Sequence, residues 1–469
     1  MSLSPEQIAD AWQQEYANAP DTLARMSEIK TLAAAFNANV DSVIKISGIE
    51  LQKRIAAANL TIADLENISA RAIRTPEDIL RGIFRCFCLG IAEEWIAEDP
   101  EIYRWMKKEL GTEKLQMGAQ AGIIANTLSL TGINRVVTHV GALPKLQAAQ
   151  FFKRENLLSF DQNGTLKPAY TISRPDEEAS IHWIIEFDKD DCLQIEGKTF
   201  VCPKANRFIA TYDPILFNLV IDPYFVDYTD REPIDYIILS GYQALSENNN
   251  GVNLVKKTIP IIKKWRCKQP RPLIHLEIAS TQDKAVRQAV AEHIMPLADS
   301  AGLNEREAID LLEVLNLPEL AEKCRRHTRP DNMFEALLAI KNKTGCPRIQ
   351  LHMFGLYITL QNRDFPITPA ANRRGMILAA TAAASKALLG RLADYQDFTA
   401  AAKHPVSSCG IEGLKELAAR LNDENFALSG LGKYGEFDVI AVPAVIIDRP
   451  KTLVGMGDTI SAFSLLGAR

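Results

Sequence analysis

Residues 272–315 read PLIHLEIASTQDKAVRQAVAEHIMPLADSAGLNEREAIDLLEVL, and this stretch decides the fold class. Pro272 to Ala279 is an apolar run of strand length, and Lys284 to Asp299 and Glu305 to Leu315 follow with apolar residues at helical spacing. The same alternation extends in both directions. Strands are expected at Asp235 to Ser240, Arg348 to Leu360 and Phe437 to Ile447, and helices at Pro318 to Arg326, Asn332 to Lys343 and Ala371 to Leu392. Strands alternating with helices imply right-handed crossovers and a buried, mostly parallel sheet covered on both faces, with ligands beyond the C-terminal strand ends.

The N-terminal half reads differently. Residues 6 to 35 carry helical spacing, with Thr31 to Val40 running into a strand or its exit loop. Ile181 to Phe187, Thr199 to Pro203 and Phe208 to Tyr212 are short β segments separated by polar turns, the pattern of an antiparallel flap. We therefore expect a large α/β domain from residues 1–79, 119–154 and 214–469, and a small lid domain from residues 80–118 and 155–213.

Composition excludes several classes. The 469 residues are 47% hydrophobic and 24% charged, enough for a large core, and the formal charge of -5 argues against a nucleic-acid partner. The basic residues between Lys256 and Arg271 fall on a helical pattern and read as a solvated face. Eight scattered cysteines match a reducing compartment, and Met1 to Pro20 has no apolar signal-peptide core. The longest apolar tract, Met376 to Leu389, is Ala-rich and broken by Ser385 and Lys386. The expectation is a cytoplasmic protein without a membrane partner.

Within the opening stretch, His275 and Glu277 share one strand face because side chains alternate. They either organise a Mg²⁺ ion with its waters or satisfy each other. Asn304 and Glu307 form a capping box, and the same two side chains are spaced to stand beside a metal and phosphates. Near the C-terminus, Gly455-Met456-Gly457-Asp458 precedes an apolar helix. Two glycines allow several N–H groups to face one anion, and Asp458 is either a helix cap or a base for an attacking hydroxyl.

Asn39 and Asp41, in Asn37-Ala-Asn39-Val-Asp41, suit sugar hydroxyls or an Asx-rich turn. Gly118 and Gln120 open a helix where a ligand or a packed helix can approach closely. Asn206, Arg207 and Arg174 offer polar and cationic groups for a substrate phosphate, or are ordinary surface residues. Walker A, GxSxG and HExxH patterns are missing and no GxGxxG follows an early strand; Gly430-Leu-Gly432-Lys433-Tyr434 reads as a turn.

The ordered motifs AFNANVDSV, GAQAGIIAN, IHWIIEF, NRFI, SGYQAL, HLEIAS, GLNEREA and VGMGDTIS resemble those of the archaeal ADP-dependent sugar kinases, which comprise ADP-specific phosphofructokinase and ADP-specific glucokinase. The resemblance implies a ribokinase-like α/β fold with a β-containing lid, and glycolytic phosphate transfer from Mg-ADP with release of AMP. It makes Asp458 the base, and Gly455, Met456 and Gly457 the anion hole. It assigns Glu277, Glu307, His275 and Asn304 to Mg²⁺ and the phosphates, and Asn39, Asp41, Gly118 and Gln120 to the sugar. Fructose 6-phosphate is the expected acceptor at its 1-hydroxyl, with Arg207, Arg174 and Lys167 for its phosphate. Glucokinase or dual activity is the alternative, pointing to a lid glutamate at Glu93 or Glu94, and a catalytically silent binding protein is a third. The resemblance also leads one to expect a second glycine where Ala119 stands.

Overall fold

The computed structural model describes residues 4–69, 71–97, 99–111, 114–281, 283–452 and 455–468. Among them, eleven strands form one sheet. Its centre is a parallel block running from Arg348–Met353 through Ser300–Leu303, Leu273–Glu277, Tyr236–Leu239, Thr31–Ala35 and Arg135–Thr138 to Leu157–Phe160. Strand order reverses between Thr31–Ala35 and Tyr236–Leu239. A crevice opens at such a reversal because the two loops leave in opposite directions. Antiparallel strands close both edges.

The Ala-rich tract is the helix Pro369–Leu389, almost wholly buried against the C-terminal helix Met456–Leu466. Small side chains let the two backbones approach: a Cβ on Gly375 would lie 2.4 Å from the Ser464 carbonyl oxygen. The anion turn is thus mounted on a helix that cannot shift without disturbing the core.

A second sheet has six strands, ordered Ala72–Ile73, Glu93–Ala97, Asn206–Tyr212, Ile181–Phe187, Asn39–Lys45 and Leu115–Gly118, and has its own apolar core. Trp95, Trp183, Phe187 and Phe208 line its back, under Gly48–Ala57, Pro76–Leu89 and Pro100–Glu109.

Several expectations are corrected. The chain leaves the large sheet directly after Thr31–Ala35, so Asn39–Lys45 and Ala72–Ile73 belong to the small sheet, whereas Leu157–Phe160 and Leu166–Pro168 belong to the large one. The small sheet is mixed rather than an antiparallel flap. Arg348 to Leu360 is a hairpin, turned at Phe354 and at Gly355, whose φ is 84°. Ser300–Leu303 is an additional four-residue strand, and the helix from Lys284 passes into a π turn at Val290.

Candidate active site

Beyond the C-terminal ends of the parallel strands, the anion turn meets three carboxylates. Gly455 has φ 63°, and no side chain caps the helix that follows. A Cβ on Gly455 would lie 2.8 Å from Lys386 Nζ, and one on Gly457 would lie 3.1 Å from His352 Nε2. The glycines therefore supply both conformation and room. Leu453 and Val454 lie outside the described residues.

Asp458 stands on the first turn, beside Lys386, whose Nζ donates to the Gly455 carbonyl at 3.0 Å. Burial raises the Asp458 carboxyl, against the pull of the Lys386 ammonium and a hydrogen bond from Gln120. Glu277 closes the strand Leu273–Glu277, and burial, with the charges of Glu307 and Asp458, pushes its carboxyl well above the usual range. Glu307 rises to about 8, chiefly by burial; its Asn304 hydrogen bonds oppose the rise and Asp458 adds to it. The charge of Asp458 thus acts on both glutamates, and that of Glu307 on Glu277.

One Glu277 oxygen, Oε2, has no hydrogen-bond partner. A Cβ on Gly302 would intrude there, 2.6 Å from Glu277 Oε2 and 2.3 Å from Ser461 Oγ. His275 faces Ser300 Oγ through Nδ1 at 2.9 Å, and its Nε2 lies 3.6 Å from Glu277 Oε2. Neither Nε2 nor Oε2 has a hydrogen-bond partner. Asn304 and Glu307 form the expected capping box: Glu307 Oε2 accepts from the Asn304 N–H at 2.8 Å, and the Glu307 N–H donates to Asn304 Oδ1 at 3.0 Å. Next to them an open cleft of about 780 Å³ is lined by residues including Asn304, Arg306, His352 and Gly457. Its size suits a nucleotide.

On the other side of Asp458 lies the free face of the small sheet. Adjacent strands place Asp41, His182 and Thr211 in one row, and Glu94 and Arg207 stand on the same face. Asn39 is paired with Gly118, where a Cβ would lie 2.1 Å from Asp41 Oδ1 and 2.5 Å from Asn39 Oδ1. Burial raises Asp41 to about 6, with His182, Asn39 and Arg207 opposing and Glu94 reinforcing. Thr211 Oγ1 donates to Glu94 Oε1 at 2.7 Å. Carboxylates, an imidazole and amides on one concave face can bind a polyol through paired hydrogen bonds.

Four sequence expectations fail. Glu93 points to the opposite face from Glu94, as strand neighbours must. There it accepts from Arg85 and from Trp95 Nε1 at 3.2 and 3.0 Å. Arg174 is buried, donating to the Phe160 carbonyl and pairing with Asp222 at 2.5 Å, which leaves it committed to a loop of the large unit. Asn206 ties its strand to a helix end, donating to the Gly90 carbonyl at 3.0 Å. Lys167 pairs with Asp161 at the edge of the large sheet.

Lys386, His182 and Asp213 were missed. Lys386 had a legible signal, a lysine breaking an Ala-rich apolar tract. His182 lies in the quoted IHWIIEF, yet a lone histidine in a strand names no partner. Among the described residues no helix is long and apolar enough to cross a membrane.

The family model described as the ADP-specific phosphofructokinase/glucokinase conserved region matches residues 30–467. The chain is similar to the ADP-specific phosphofructokinase of Methanosarcina acetivorans, 28% identical over 97% of this chain and 96% of that one. It is also similar to the ADP-dependent glucose/glucosamine kinase of Pyrococcus furiosus, 29% identical over 97% and 98%. Among solved structures, an ADP-dependent kinase in complex with fructose-6-phosphate and ADPbetaS superposes with a TM-score of 0.83 and 28% identity, covering 100% of this chain and 98% of that one.

Proposed function

Because the chain belongs to the ADP-specific phosphofructokinase/glucokinase family and has its ribokinase-like α/β fold, we propose that it transfers the β-phosphate of ADP to the 1-hydroxyl of fructose 6-phosphate, giving fructose 1,6-bisphosphate and AMP. The observation that carries this reading is the position of Asp458. It lies on the anion turn, next to Lys386, and its hydrogen bond to Gln120 joins the turn to the polar face bearing Asn39 and Asp41.

In this reading Asp458 accepts the proton of the attacking hydroxyl, and a raised carboxyl is well matched to that task near neutral pH. Backbone N–H groups of the turn and the Lys386 ammonium stabilise charge on the moving phosphoryl group. The residues fit Mg²⁺ as an ion that keeps most of its waters: Glu277 Oε2 is buried without a hydrogen-bond partner, and Glu307 adds charge. Among the described residues no three ligating side chains converge on one point, so Glu277 and Glu307 would hold the hydrated ion with the nucleotide phosphates. Bound there, Mg²⁺ neutralises phosphate charge. The small unit acts as a lid that excludes water from the transfer.

A second reading, glucose as acceptor, is favoured by one observation. Glu94, fixed by Thr211, stands beside Asp41, and of the three cations expected for a sugar phosphate only Arg207 is on that face. A coupled assay with Mg-ADP and either sugar decides between them. Fructose 6-phosphate turnover that falls on the order of 10² to 10⁴-fold in Asp458→Ala is the expected result. Glucose turnover at a comparable rate assigns a bifunctional enzyme, and no turnover of either by folded protein overturns the kinase reading.

A further inference from the structure

Asp213 occupies the point where the chain returns from the small sheet to the large one, between the strand Asn206–Tyr212 and the short helix Pro214–Phe217. It is 2% exposed. Its Oδ1 accepts from Ser180 Oγ at 2.7 Å and from the Leu216 N–H at 2.8 Å, which fixes the carboxylate and turns Oδ2 toward His182 Nε2, 3.0 Å away. A carboxylate held by two donors has one orientation. Ile215 and Leu216, with Asn37, Asn39 and Ala119, line the small crevice between the units, so the carboxylate stands at the crossing itself, held by Leu216 in the returning chain and by Ser180, which leads into the small-sheet strand Ile181–Phe187.

His182 sits on the other side. It is the residue paired with Asp41 in the neighbouring strand, on the face that also carries Glu94. An ionised carboxylate only accepts, so the hydrogen in the Asp213 contact belongs to Nε2, and Nδ1 is the remaining polar ring atom for the pocket. We infer that Asp213 is a positioning residue for the sugar site: it orients the His182 ring so that the lid presents Nδ1 to the acceptor sugar in a geometry referenced to the hinge. The inference rests on the sugar-kinase reading of this face. Burial acts against a charge on His182, but the Asp213 hydrogen bond and the charges of Asp213, Glu94 and Asp41 outweigh it.

The test is Asp213→Asn, which keeps an acceptor for Leu216 and Ser180 but can place an amide against His182 Nε2. Titration calorimetry of nucleotide-free enzyme with glucose and with fructose 6-phosphate should show the bound sugar weakened roughly ten-fold, the scale of one lost charge-assisted hydrogen bond. The KM for ADP should not change. His182→Gln should weaken the sugar equally, and the double variant little more than either alone. Sugar binding within about two-fold of wild type, or effects that multiply in the double variant, would overturn the inference. Nitrogen NMR of the ring reads it independently of any sugar. A His182 Nε2 proton that shifts or is lost in Asp213→Asn supports the assignment; an unchanged ring overturns it, even if the enzyme binds neither sugar and the kinase reading itself falls.

Discussion

Ala119 holds φ 58° and ψ 154°, a backbone conformation that a side-chain methyl resists and glycine adopts freely. It lies between Gly118, packed against Asn39 and Asp41, and Gln120, whose side chain reaches Asp458. Residue-scale strain of this kind persists where the surroundings over-determine the backbone. Ala119→Gly should raise stability by about 1 kcal/mol, the relieved strain outweighing the added freedom of the unfolded chain. Urea unfolding of the two proteins measures it; equal or lower stability for glycine would show that the conformation carries no strain. The position was legible only as an alanine in place of an expected glycine, since dihedral angles are not written in a sequence.

At the scale of elements, the seam between Pro369–Leu389 and Met456–Leu466 holds the anion turn in place. Gly375→Val would drive a branched side chain into the Ser464 carbonyl, a clash that costs about 1–3 kcal/mol and displaces the helix Met456–Leu466. Both the melting temperature and kcat should fall. A loss of stability with kcat unchanged would mean that the turn is positioned by its loop instead. The Ala-rich composition announced a helix but not its partner. Likewise the Asn37-Asn39-Asp41 alternation reads in sequence as a strand exit or an Asx-rich turn, and nothing local shows that Asn39–Lys45 is a strand pairing with Ile181–Phe187, about 140 residues away. Glu93 and Glu94 illustrate the same limit. Their opposite directions follow from strand geometry, but which of them meets the sugar face depends on the helices that cover the other side.

At the scale of the whole molecule, two units with separate cores meet around buried charge. Glu307 is raised to about 8 from an ordinary 4.5. The folded protein therefore holds a proton that the unfolded chain releases between those values, and stability falls as pH rises through that window. In metal-free enzyme Glu307→Gln should remove this slope, adding on the order of 1–3 kcal/mol at pH 8 and much less at pH 5, while kcat drops. Denaturant midpoints at the two pH values check it, and parallel pH profiles for both proteins would refute the assignment. The same carboxylate that opposes folding is one that we propose meets a cation and phosphates.

The amino-acid sequence by itself determined the alternation of strands and helices, the capping box at Asn304 and Glu307, and the glycines of the anion turn. Each is a matter of residues close in the chain, where backbone conformation and period decide. Only the tertiary structure decided that Lys386 stands beside Asp458 and that Arg174 is spent on Asp222. It also decided that His182 hangs from Asp213 at the crossing between the units. Those are contacts across tens of residues, and they exist because burial removes water and forces distant polar groups to satisfy one another.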